Sequence, residues 1–64
     1  MDIESFLDKV DKTIPNGVRK GQHFYNILYT IRPDLANKLL DTNIDPYYND
    51  SKLDAAINFI RNNW

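Results

Sequence analysis

Apolar residues recur along the chain at steps of three and four, the spacing that places side chains on one face of a helix. Ile3, Phe6, Leu7, Val10 and Ile14 make the first such face. It stops at Ile14-Pro15-Asn16-Gly17, because proline disfavours helix at the residue before it and Asn-Gly supplies turn conformations. A second helix, from about Val18 to Ile31, carries Phe24, Ile27, Leu28 and Ile31 on one face. Gly21 falls on that face too. Glycine costs a helix about 1 kcal/mol relative to alanine, so its presence predicts close approach by another helix. Arg32-Pro33 ends this helix and opens a third, since proline suits a first helical position. The third runs from Pro33 to about Asp41 and buries Leu35, Ala36, Leu39 and Leu40.

Thr42 to Asp50 is the one substantial loop, with Asp45-Pro46 placed to start a single helical turn. The last helix opens with Ser51 as cap and Asp54 at the capping-box spacing. Its stripe is Leu53, Ala56, Ile57, Ile60 and Trp64, with Phe59 about 100° away. No segment alternates as a strand does. The expected fold is all-α: a single helical domain over residues 1–64, a compact bundle of about four short helices with one longer loop before the last.

Composition narrows the setting. A chain of 64 residues buries only about 60% of the surface it exposes when unfolded. Cysteine is absent, which excludes a disulfide framework, thiolate metal sites and a cysteine nucleophile. Small secreted domains lean on disulfides, so an intracellular, cytoplasmic location is expected. The opening MDIESFLDKV lacks a basic region and a long apolar run, so no secretory leader is expected. Nor does any stretch approach the roughly 20 apolar residues of a membrane span. The net charge of −1 is unevenly spread. Lys9 and Lys12 against Asp2, Glu4, Asp8 and Asp11 give −2; Arg19, Lys20, Arg32 and Lys38 against Asp34 give +3; Lys52 and Arg61 against Asp41, Asp45, Asp50 and Asp54 give −2. A basic waist between acidic ends is a weak dipolar pattern.

Three candidate chemistries lose ground when their geometry is spelled out. Asp41, Asn43 and Asp45 match the first, third and fifth places of a calcium loop between helices. Pro46 then stands where glycine must turn, and Lys52 where a bidentate glutamate belongs, so these side chains read better as turn and cap acceptors. His23 is the only histidine, and no nucleophile or second acid–base group shares its face. It reads as a solvated or capping residue near Arg19 and Lys20, and neither an enzyme nor a cofactor is expected. Arg19, Lys20, His23 and Arg32 form the basis of an alternative reading, a weak nucleic-acid-binding module over residues 19–32. That reading is disfavoured, since Lys20 points toward the apolar side, Arg32 begins a new element, and the connection after Ile31 is shorter than a helix-turn-helix turn.

Two surfaces are less routine. Arg19, Gln22, Asn26 and Thr30 project opposite Phe24 and Leu28, and amides and hydroxyls are an odd choice for a fully solvated helix face. Bonding to a neighbouring loop is the favoured account, with a partner second. Tyr25 and Tyr29 flank the apolar face, and Tyr47 and Tyr48 sit together in the loop. At least one of the latter pair should be exposed, and a patch of Tyr48 with Tyr25 or Tyr29 is the candidate partner site.

The string Arg19-x-Gly21-Gln22-x-x-x-Asn26-x-Leu28, with Pro33-x-Leu35-Ala36, Thr42-x-x-Asp45-Pro46-Tyr47 and Asp50, resembles a group of very small bacteriophage and prophage proteins. The resemblance covers residues 19 to about 60 and brings no activity with it. It implies a viral or mobile-element origin, action in the host cytoplasm, and importance of Arg19, Gln22, Asn26, Asp45 and Asp50 as a set. Holding the Asp45-Pro46 turn by hydrogen bonds from the second helix would explain that set structurally. The leading expectation is a non-enzymatic accessory protein that binds another protein, host or viral, with Arg19, Gln22, His23, Asn26, Tyr47 and Tyr48 as candidate contacts.

Overall fold

Asp2 starts the first helix by accepting the Ser5 N–H on Oδ1 at 2.8 Å, which satisfies one of the orphan donors of the first turn. In the computed structural model, which describes all 64 residues, α1 spans Ile3–Thr13, α2 Lys20–Ile31, α3 Pro33–Leu40 and α4 Leu53–Asn63. A single 3₁₀ turn, Asp50–Lys52, leads into α4. There is no strand, and the expected small all-α bundle is what the chain forms. Gly17 takes φ +83° in the α1–α2 turn, the left-handed conformation foreseen for Asn-Gly.

The core is the meeting point of the four apolar stripes. Phe6 and Val10 of α1, Phe24 and Leu28 of α2, Leu35, Ala36 and Leu39 of α3, and Ala56 and Ile60 of α4 are all essentially buried. Each large side chain so buried stabilises the fold by about 1.5–3 kcal/mol relative to remaining exposed. Phe6 and Phe24 meet edge-on with ring centroids 5.4 Å apart. The chain ends close on each other: Trp64 lies 5.3 Å from Phe6, its indole N–H donates to the Met1 carbonyl, and Arg61 pairs with Glu4. Trp64 and Phe59 therefore both pack on the core.

Several details depart from the sequence expectation. Ile14 falls one residue beyond α1 and is 37% exposed, because the extended backbone before Pro15 turns it off the stripe. Helix α2 begins at Lys20, two residues later than Val18. Leu40 is exposed at the end of α3, the core place falling to Leu39. Ser51 lies inside the 3₁₀ turn and is not the cap; Asn49 Oδ1 accepts from its backbone N–H at 3.0 Å and its hydroxyl at 2.7 Å. Asp45-Pro46 opens a single hydrogen-bonded turn that does not continue as helix. Asp45 Oδ1 accepts the Tyr47 N–H at 3.0 Å, and the Pro46 carbonyl accepts the Asn49 N–H at 3.2 Å.

Candidate functional site

The loop between α3 and α4 is fastened to the first turn of α2, and Gly21 makes that possible. A Cβ at Gly21 would stand 2.7 Å from Asp50 Oδ1 and closer still to the Pro46 carbonyl oxygen. The close approach at Gly21 thus comes from this loop and not, as its sequence position suggests, from another helix. Pro46 is fully buried there, and the Gly21 N–H, an orphan donor at the start of α2, donates to Asp50 Oδ1 at 3.0 Å.

Arg19 and Gln22 extend the clamp. Arg19 donates from a terminal guanidinium nitrogen to the Tyr47 carbonyl at 2.8 Å and lies 3.9 Å from Asp50. The Gln22 amide reaches the Tyr47 hydroxyl at 3.5 Å. Half of the polar stripe is thus engaged with the loop, as the favoured account requires. The other half is not. Asn26 is exposed and its side chain makes no hydrogen bond within the chain, while Thr30 donates to the Asn26 carbonyl of its own helix. Asp45 acts inside the loop, on Tyr47.

The clamp brings Tyr47 and Tyr48 of the loop into line with Tyr25 and Tyr29 of α2. Tyr29 lies 6.4 Å from Tyr25, Tyr25 meets Tyr47 edge-on at 5.7 Å, and Tyr47 meets Tyr48 at 4.6 Å. Tyr25 is buried and Tyr47 half-buried, so they form the base of the row. Tyr29 and Tyr48, at 54% and 83% exposed, form its open ends. Burial, then the charges of Asp45 and Tyr29, raises the Tyr25 hydroxyl above its usual pKa of 10.0. The sequence groups Tyr48 with Tyr25 or Tyr29 as a patch; the structure links all four rings, with Tyr47 as the bridge between α2 and the loop.

His23 is elsewhere, and it is not solvated. Only 8% exposed, it leaves α2 about 160° from Tyr25 and sits with Nε2 2.8 Å from the Thr13 hydroxyl. That hydroxyl donates its one proton to the Lys9 carbonyl at 2.7 Å, so His23 Nε2–H is the donor to Thr13 Oγ1. The histidine ties α2 to the end of α1 and stands outside the tyrosine row. Its burial leaves no trace in the sequence because Thr13, its partner, gives no periodic signal.

The cations of residues 19–32 are each paired within the chain: Arg19 faces Asp50, Lys20 meets Asp11 at 2.7 Å, and Arg32 takes Asp34 through two bonds of 3.1 and 2.9 Å. The Arg32–Asp34 pair raises the pKa of the guanidinium and lowers that of the carboxylate. Arg32 also lies over the Trp64 ring at 5.2 Å. A shallow pocket of about 130 Å³ opens between α1, α2 and α4, lined by Leu7, Val10, Phe24 and Ile57 with Lys20 and Asp11. No helix is long and apolar enough to cross a membrane. Comparison with protein-family models, curated proteins and solved structures found no match.

Proposed function

We propose that this chain is a non-enzymatic accessory protein that binds another protein through the row Tyr29–Tyr25–Tyr47–Tyr48. The observation that carries the reading is the row itself: contiguous rings, open at Tyr48 and Tyr29, two from α2 and two from a loop already fixed by Pro46, Arg19, Gly21 and Asp50. Tyrosine supplies large contact area with few rotatable bonds, and a surface ordered before binding loses little entropy on binding. Arg19 and Gln22 support this surface from behind, and Asn26 is exposed one residue along α2 from Tyr25. The reading includes a phage-type origin and a partner met in the host cytoplasm, on the strength of the motif running from Arg19 to Asp50.

A nucleic-acid role for residues 19–32 has less to draw on, because Arg19, Lys20 and Arg32 would have to leave Asp50, Asp11 and Asp34 to meet phosphate. Affinity capture from lysate of the native host, with wild type beside Tyr48→Ala, tests the proposal. A protein retained by wild type and lost by the equally stable variant is expected. Identical sets from both proteins would contradict it.

A further inference from the structure

On the protein-binding reading, on which this proposal rests, the charge beside the tyrosine row narrows the partner's chemistry. Between Lys38 and Lys52 the chain carries Asp41, Asp45 and Asp50 and no lysine or arginine. Asp50 is offset by Arg19 at 3.9 Å. Asp45 has no such neighbour: it enters no ion pair, although it is half-buried at the base of the row. One of its oxygens holds the Tyr47 N–H at 3.0 Å; the other accepts no protein hydrogen bond. Its charge is also felt at the Tyr25 hydroxyl.

A half-buried carboxylate next to Tyr25 and Tyr47 attracts a cation by its own charge, and an exposed ring face of the row adds a second attraction. Guanidinium suits the pair better than ammonium, because it is planar, stacks on a ring and still points N–H groups at an oxygen in its plane. We infer that the row receives an arginine side chain from a basic segment of the partner protein, stacked on tyrosine and bonded to the free oxygen of Asp45. An acidic or phosphate-bearing partner would bring like charge to an uncompensated carboxylate.

Titration of the ¹⁵N-labelled chain with an arginine–glycine peptide, its lysine and glutamate counterparts, and a single-stranded oligonucleotide tests this. The arginine peptide is expected to shift the amides of Tyr25, Tyr29, Asp45, Tyr47 and Tyr48, to bind more tightly than the lysine peptide, and to weaken with added salt. Asp45→Asn keeps a side-chain oxygen for the Tyr47 N–H while removing the charge, and should weaken arginine-peptide binding by about 10- to 100-fold. Binding indifferent to salt and to Asp45→Asn would overturn the inference. So would shifts confined to amides beside other carboxylates, or tighter binding of the glutamate peptide or the oligonucleotide. Glutamate-peptide binding at the same tyrosines would leave the protein-binding reading standing. A partner captured through Tyr48 by a segment without arginine or lysine would likewise overturn this inference alone. Loss of any Tyr48-dependent partner would remove both.

Discussion

The helical junction and the α3–α4 loop are held by different forces. At the junction, Phe6, Val10, Phe24, Leu28, Leu35, Leu39 and Ile60 exclude water completely, and an apolar side chain of similar volume can often replace another there. At the loop, one buried proline, one glycine and bonds to the Tyr47 carbonyl and the Asp50 carboxylate fix the backbone. Nondirectional burial tolerates small shifts. A hydrogen bond at 2.8–3.0 Å to a named carbonyl or carboxylate does not. The junction therefore determines that the chain folds, and the loop determines what it presents.

The largest effect separating the two regions is expected from Phe24→Ala. Truncating a buried phenylalanine costs about 3–5 kcal/mol, against a total stability of about 3–10 kcal/mol for a chain of this length. Denaturation followed by circular dichroism should show most of the stability gone, and a loss below about 1 kcal/mol would contradict the packing described.

Gly21→Ala acts on the other region. Helix propensity alone predicts a gain of about 1 kcal/mol; the collision with the Pro46 carbonyl predicts a cost of about 1–3 kcal/mol. The expected result is no net gain, with amide exchange accelerated at Tyr47 and Asn49, the hydrogen-bonded amides of the loop, beyond the change at core amides of α2 and α3. A more stable protein with an unchanged loop would show that the loop does not rest on Gly21.

The smallest effects are pH-dependent, one at the cap of α1 and one in the tyrosine row, at opposite ends of the scale. Asp2, at the start of α1, has its pKa held below the usual 3.8 chiefly by the Ser5 N–H. Its contribution is present above about 3.8 and is lost as pH falls through the lowered folded value, so Asp2→Ala should flatten the acid limb of stability against pH. Tyr25, in the row, is raised above 10.0 by burial. Its contribution is present below about 10.0 and is lost as pH rises through the folded value. Tyr25→Phe should therefore flatten the alkaline limb while leaving the acid limb unchanged, as melting temperatures across the pH range would show.

The same contrast explains what is legible in the sequence. Periodicity finds the junction because burial on a helix repeats every three or four residues: Phe6 with Val10, Phe24 with Leu28, Leu35 with Leu39. Its errors fall at helix ends, where Ile14 and Leu40 continue a period that the backbone has already left. The loop is legible only as a set of residues. Arg19, Gln22 and Asp50 stand out by type and motif, and two of the four stripe positions do bond the loop. That Gly21 receives Pro46 and not a helix depends on tertiary contact with no repeating pattern. His23 reads as solvated or capping for the same reason, its partner Thr13 lying ten residues away on another helix.

Site-directed photocrosslinking tests the central claim, that the clamped tyrosine row is the binding surface, most directly. A photoreactive phenylalanine analogue at position 48 would probe the row, with one at exposed position 9 of α1 as control. Irradiation in the native cell is expected to attach a protein partner at position 48 and none at position 9. Adducts from position 9 with none from position 48 would contradict it.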